Sequence, residues 1–316
     1  MHSVKETVRV IRGGQASTYV VAEEHADGSL LLRLDATSQA IVEHAPTRDS
    51  LDGETRNGAD SRPGVVLEVR GLSVAYGTKQ AVADVSFRIG HGEIFGLLGP
   101  NGAGKTSTLS AIEGLIKPRA GTVLLDGADI RSNPLRAKAA MGVQLQATSF
   151  QSELTIKQIV RLYAGLYGTE LSDDKITDGL REIGLEGEAT KPFKQLSGGQ
   201  QQRLSLYVAV VHDPVLLLLD EPTAGLDPQS RRQLWGRIEH IRQEGGSILL
   251  TTHSMEEAQA VCDRVAIIDH GALLTTETPQ DLIEKHKDDP RVREVAHGQV
   301  TLEDVFIGLT GSEIRG

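Results

Sequence analysis

A chain of 316 residues with 39% hydrophobic residues has room for one large domain or two modest ones around a proper core. Its formal net charge of −10 excludes a general nucleic-acid binder, which would carry a basic face, and its single cysteine, Cys262, excludes an intrachain disulfide and suits a reducing cytosol. The longest apolar runs, such as residues 215–219, fall far short of the about 20 residues that span a bilayer, and no apolar stretch of a signal peptide follows Met1-His2-Ser3-Val4; the expectation is a soluble chain that another protein must bring to any membrane it serves.

Residues 1–42 read as a small β-rich N-terminal extension. Stretches 8–11 and 18–22 are rich in strand formers, and Asp27-Gly28 suits a hairpin turn before residues 30–34. Such a meander is too small to be stable alone, so it either packs on something or stays a loosely ordered extension. Residues 43–64 are polar, turn-rich and nearly without apolar anchors, the composition of a flexible linker.

The main domain, residues 65–285, opens with predicted strands at 65–69 and 84–89, with Tyr76 between them. Residues 94–98 read as a short buried strand, and 107–112 can continue a helix. Between them lies Gly99-Pro100-Asn101-Gly102-Ala103-Gly104-Lys105-Thr106, which matches the phosphate-loop pattern G-x-x-x-x-G-K-[ST] in the strand–loop–helix setting that the pattern needs. Glycines let successive backbone N–H groups turn inward around phosphate oxygens. The helix N-terminus adds partial positive charge. Lys105 can reach β- and γ-phosphates, and the Thr106 hydroxyl can ligate Mg²⁺; Ser107 begins the following stretch and is grouped with the loop as nucleotide-binding.

Further along, 122–125 with Asp126-Gly127 suggests a hairpin, and 141–146 a strand. Thr155-x-x-Gln158 fits a capping box opening a helix that runs to Tyr167. Ile176, Leu180 and Ile183 fall at helical spacing on a second helix. Together these predict a helical subdomain over about 147–210, inserted into a β/α pattern. Leu196-Ser197-Gly198-Gly199-Gln200 precedes a helix expected over 201–211, and Ser197-x-x-Gln200 again fits a capping box. The strand 215–219 ends in Asp220-Glu221-Pro222, which places the Asp220 carboxylate at the carboxyl edge of the sheet. A helix over 231–244 stops at Gly245-Gly246, strand 247–252 leads to His253, a helix follows over 255–262, and 265–268 with 272–274 makes a hairpin around His270-Gly271. Alternating apolar strands and helices imply an α/β fold with a parallel sheet covered on both faces. In the tail, 286–316, Leu302, Val305, Phe306 and Leu309 share one helix face, so a helix docking there is expected.

These motifs, in this order over about 65–280, resemble the nucleotide-binding subunits of ATP-binding-cassette (ABC) transporters. Leu196–Gln200 matches that family's signature, 215–220 its Walker B strand, Gly225-Leu226-Asp227 its D-loop with Ala224-Gly225 where many members have Ser-Ala, His253 its switch position and Gln146 its Q-loop position, with Gln144 a competitor for the last. The resemblance implies a P-loop ABC-type nucleotide-binding domain, a mixed β core with a helical subdomain insertion, that takes ATP and Mg²⁺. It implies that Tyr76 stacks on adenine rather than serving only as a strand tyrosine, that Asp220, Thr106 and Gln146 serve Mg²⁺, and that Glu221 accepts a proton from the attacking water while Gln146 and His253 assist. It implies that Ser197, Gly198, Gly199 and Gln200 grip a γ-phosphate held on a second copy of the chain, with Asp227 ordering that second site, so that two subunits sandwich two ATP molecules. Partners would be that second ATP-binding subunit and an integral membrane permease on a separate chain, at the cytoplasmic face of the membrane, with no nucleic acid.

Two soluble alternatives fit less well. A translation-type cassette protein would carry two cassettes, and a chromosome-maintenance ATPase would place a long coiled coil between phosphate loop and signature. The tail 301–311, Asp126-Gly127 and residues 162–168 look like the multidrug-export and ABC-2-type group, so export is the expected direction. Leu162, Tyr163 and Leu166 are the apolar residues expected near a groove for the permease.

Overall fold

Before the linker, β1 (Thr7–Arg12), β2 (Gln15–Glu24) and β3 (Leu30–Leu34) pair antiparallel in the order β1-β2-β3. The β-rich reading of the extension therefore holds. The computed structural model describes residues 7–12, 15–24, 30–34, 64–144 and 150–311. The Asp27-Gly28 turn, all of the linker but Gly64, and Gln146 lie outside the described residues. The chain divides into one unit at 1–55 and a second at 56–316.

The elements of the second unit run β4 (Val65–Tyr76), β5 (Lys79–Gly90), β6 (Ile94–Leu98), α1 (Lys105–Ile112), β7 (Ala120–Leu125), β8 (Ala128–Asp129), α2 (Pro134–Ala139) and β9 (Met141–Gln144). The helical insertion follows as α3 (Ile156–Leu166), α4 (Asp173–Glu182) and α5 (Gly198–Val210). Then come β10 (Leu216–Asp220), α6 (Pro228–Gln243), β11 (Ser247–Thr252), α7 (Met255–Val261), β12 (Arg264–Asp269), β13 (Ala272–Glu277), α8 (Pro279–His286), α9 (Pro290–Val295) and α10 (Leu302–Thr310).

Two sheets result. A six-stranded sheet has the order β13-β12-β6-β11-β10-β9, parallel throughout except where β13 folds back antiparallel on β12. A four-stranded antiparallel sheet has the order β5-β4-β7-β8. Strands β4 and β5 are longer than the sequence suggests. Gly71 and Asp84 hold positive φ (58° and 54°) beside irregularities in the ladder, so they bend the strands without ending them. The β7–β8 turn is the predicted one: Asp126 and Gly127 both take left-handed φ (48° and 78°), as a two-residue hairpin turn requires.

The leucine run of β10 is continuous because both faces are covered. Leu216 and Leu218 face the core shared by the two sheets, whereas Leu217 and Leu219 face a second core built with Leu206, Leu234, Ile238 and Phe306. Phe87 of β5 stacks on Phe95 of β6 at 5.2 Å, which fastens one sheet to the other.

The helical insertion has a third core of its own, in which Ile156, Ile159, Val160, Ile176, Leu180, Ile183 and Tyr207 are buried. Thr155 and Gln158 form the expected capping box. In the tail, Leu302, Val305 and Phe306 of α10 are buried in the second core and Leu309 packs against it, so this helix docks on its own domain. Among the described residues no helix is long and apolar enough to cross a membrane.

Candidate nucleotide site

The loop 99–104 joins the end of β6 to the start of α1, and two of its glycines admit no substitute. A Cβ at Gly99 would stand 2.3 Å from the Ile268 carbonyl oxygen, and one at Gly104, where φ is +110°, 2.5 Å from that of Ala81. Both obstacles are backbone, so neither can yield cheaply. Lys105 is buried, and its Nζ donates to the carbonyls of Gly99 (2.7 Å) and Pro100 (3.2 Å). Burial pushes its ammonium below the usual lysine range, and the nearby Glu221 and Asp220 carboxylates oppose that fall.

No side chain caps the N-terminus of α1, although every other α-helix described has a side-chain cap. The first-turn N–H groups of a helix need an acceptor, and a phosphate supplies one together with the charge that the dipole favours. Asn101, Gly102 and Thr106 are exposed, while Ala103 is buried. Tyr76 closes β4 at 53% exposure, and its hydroxyl lies 3.4 Å from Ser107 Oγ at the start of α1. It is thus an exposed ring beside the loop and not a half-buried strand residue.

The parallel register brings the acidic and switch residues to the same sheet edge. β6 pairs with β11 (Leu98 opposite Thr252) and β11 with β10 (Thr251 opposite Asp220). Asp220 is 8% exposed, and its Oδ1 accepts a 2.6 Å hydrogen bond from Thr251 Oγ1. The next residue, Glu221, holds a left-handed φ of 47°, fixed by its N–H donating to Thr251 O (3.2 Å) and Oγ1 (3.0 Å). This turn aims the Glu221 side chain at His253, whose Nδ1 lies 3.3 Å from Glu221 Oε2. Thr251 therefore orients both carboxylates. Nothing in the sequence marks it, because a threonine in a strand reads only as a β-former.

The Asp220 carboxylate and Thr106 hydroxyl are hard oxygen donors, the chemistry Mg²⁺ takes. Among the described residues no three His, Cys, Asp or Glu gather around one point. Gln144, the competitor of Gln146, is buried at the end of β9 with its Nε2 3.5 Å from the Gln202 carbonyl of α5, so it serves packing against that helix.

Sequence reasoning also missed Glu113. It ends the loop helix at 6% exposure, and burial pushes its carboxyl up to about 7, with Asp220 adding to the rise and Lys138 opposing it. Its folded pKa lies above the ordinary 4.5, so the folded state binds more protons between those values. The contribution to stability is complete below about pH 4.5 and is lost as pH rises through about 7. Glu113→Gln should therefore gain on the wild type with rising pH. Urea midpoints should show the gap widen by about 2 kcal/mol between about pH 5 and pH 8; a pH-independent gap would contradict the assignment.

Ser197 caps α5: its Oγ accepts from Gln200 N (3.3 Å), and Gln200 Oε1 accepts from Ser197 N (2.9 Å). The helix starts at Gly198, three residues before the expected 201, because Ser197 caps it there. Gly198 faces open space, but a Cβ at Gly199 would meet Ser230 Oγ at 2.7 Å. Likewise α6 starts at Pro228 and not at 231, since Asp227 is its N-cap. Asp227 accepts from Gln229 N (2.9 Å), Ser230 N (3.0 Å) and Ser230 Oγ (2.6 Å), and these bonds, the Ser230 hydroxyl first, hold its carboxyl below the usual range. The described hydrogen bonds of Ser197, Gln200 and Asp227 thus run within their own helices.

The profile of the family described as "ABC transporter" matches residues 82–224. The probable multidrug ABC transporter ATP-binding protein YbhF of Escherichia coli (strain K12) is 34% identical over 295 residues, covering 90% of this chain and 50% of that protein; the chain spans about half the length of these first curated relatives. The Nod factor export ATP-binding protein I of Ralstonia nicotianae is 40% identical over 220 residues, covering 69% of this chain and 68% of that protein. A solved structure described as the ATP binding subunit of an ABC transporter superposes with a TM-score of 0.68 at 29% identity, covering 77% of this chain and 99% of that one.

Proposed function

Since the chain belongs to the family of ABC transporter ATP-binding proteins, whose domains bind ATP, we propose that it hydrolyses Mg²⁺-bound ATP and powers an exporter, two copies closing head to tail over two nucleotides. The observation that carries this reading is the convergence of Asp220, Glu221, His253 and the Lys105 loop at the carboxyl edge of three adjacent parallel strands, beside the one α-helix among those described whose N-terminus has no side-chain cap.

Each residue has a task. The loop amides of 102–106 and the Lys105 ammonium bind the β- and γ-phosphates, and the exposed Tyr76 ring takes the adenine. Asp220 and Thr106 hold Mg²⁺, with Gln146 as a further ligand; bound there, the ion offsets phosphate charge. Glu221 takes the proton from the attacking water, and its contact with His253 keeps that carboxylate turned toward the γ-phosphate. The Gly198 and Gly199 amides at the start of α5 hold the γ-phosphate of the second copy.

The relatives named for multidrug and Nod factor export support an export role; the pumped compound is chosen by the membrane helices of a separate integral permease, which holds this chain at the cytoplasmic face of the membrane. On α3, Leu162 (42%) and Leu166 (61%) are exposed and form the permease-facing surface. Tyr163 does not join them, because its ring packs edge-on against Phe150 at 5.0 Å within the helical core.

Cross-linking tests the membrane role. Cys262 is buried, and burial pushes its thiol far above the usual range, so a cysteine placed at Leu166 is the reactive one. In a membrane fraction, the Leu166→Cys chain should capture an integral membrane protein. Capture only from cysteines placed within residues 7–34 would make the amino-terminal unit the tether instead.

A further inference from the structure

The Glu221–His253 pair stands at the ends of two different strands, and neither residue fixes the other's backbone. One buried carboxylate joins the segments that carry them. Glu257 lies on α7 at 8% exposure. Its Oε2 accepts a 2.7 Å hydrogen bond from the hydroxyl of Thr223, itself 6% exposed. Its Oε1 lies 3.0 Å from Arg231 Nε of α6, an ion pair not aligned as a hydrogen bond. Its backbone N–H donates to Ser254 Oγ (3.3 Å), and Ser254 directly follows His253.

Three segments therefore meet on one side chain. The first is the turn after Glu221, where Ala224 N donates to Glu221 O (3.1 Å) and Leu226 N to Thr223 O (3.1 Å). The second is α6, which Asp227 caps and whose Ser230 occupies the space that a Cβ at Gly199 of the signature would need. The third is the helix that begins just after His253. Proline at 222 fixes the chain between Glu221 and Thr223, so holding the Thr223 hydroxyl holds the left-handed Glu221 in place. A buried carboxylate is costly unless it is paired and hydrogen-bonded, and here one oxygen serves the hydroxyl and the other the guanidinium.

We propose that Glu257 is a positioning residue for hydrolysis: through Thr223 it sets where Glu221 stands relative to His253, and through Arg231 it ties that pair to α6. The inference rests on the ATPase reading above.

The test uses the full chain with Mg²⁺ and ATP, read as kcat and KM from phosphate release, alongside the urea midpoint. Thr223→Val is nearly isosteric and removes only the hydroxyl. It should lower kcat about tenfold, the cost of a small misplacement of a catalytic group, with KM within about twofold, while the urea midpoint falls because the buried Glu257 oxygen loses its donor. Thr223→Ser should restore kcat. Glu257→Gln combined with Thr223→Val should be no slower than the slower single variant, because both break one linkage. A wild-type kcat in Thr223→Val, or a loss that Thr223→Ser fails to restore, overturns the positioning role. A wild-type chain that releases no phosphate under these conditions overturns instead the ATPase reading beneath it.

Discussion

The Glu221→Gln chain should bind ATP as the wild type does and release phosphate about 10²–10⁴-fold more slowly, the span over which a positioned general base acts. The carboxamide keeps the shape of the side chain but cannot accept the proton of the attacking water. The substitution leaves the local backbone alone, because the φ of 47° at this residue is held by Thr251 through the Glu221 amide and not through the side chain. Binding is carried by the loop amides and Lys105, whose hydrogen bonds do not involve Glu221. Lys105 does lose one of the two carboxylates that favour its charged form, but Asp220 remains. Equilibrium binding of a fluorescent ATP analogue, set beside single-turnover phosphate release, separates the two effects. Hydrolysis at the wild-type rate would remove Glu221 from its role.

With turnover stopped, the same variant reveals the assembly. In saturating ATP and Mg²⁺, light scattering on Glu221→Gln should report about twice the chain mass of 34.0 kDa, and adding Ser197→Arg should return it to the monomer. The reason lies in the α5 start. Ser197 and Gln200 satisfy each other, while the Gly198 position opens onto free space, so an approaching phosphate meets backbone amides and no side chain. Arginine at 197 removes the cap, at about 1 kcal/mol, and fills the approach. A dimer that persists in the double variant would show that the signature does not form the contact.

Local pattern made much of this legible. The run 216–219 could be read as a strand because both its faces are buried, so no polar position interrupts it. The Thr155 and Ser197 caps follow from hydroxyl and amide side chains three residues apart. Asp126-Gly127 marks its turn because few other pairs tolerate two left-handed residues in succession. What escaped is what distance in sequence conceals. Asp227 reads as a partner-facing residue by motif, and only the structure shows its carboxylate held by its own helix. Glu113, Thr251 and Glu257 gain their character from residues roughly 30 to 110 positions away, which no periodicity records. Tyr163 shares an apolar stretch with Leu162 and Leu166, but the helix turns it inward. Strands β4 and β5 run past the expected 65–69 and 84–89 because Gly71 and Asp84 take positive φ at ladder irregularities and the pairing continues beyond them.

The strand order also sets a timetable for synthesis. In the six-stranded sheet β6 lies between β11 and β12, and it pairs with nothing made before residue 247. A ribosome adding about 5–20 residues per second needs roughly 7–30 s to travel from the end of β6 to the start of β11. Throughout that interval the nascent chain carries Ile94-Phe95-Gly96-Leu97-Leu98 without either of its sheet neighbours. The helical insertion emerges meanwhile with a self-contained core and can fold in the waiting time. The strand that delivers the phosphate loop is thus the first of its sheet to be made, and it waits for both of its neighbours.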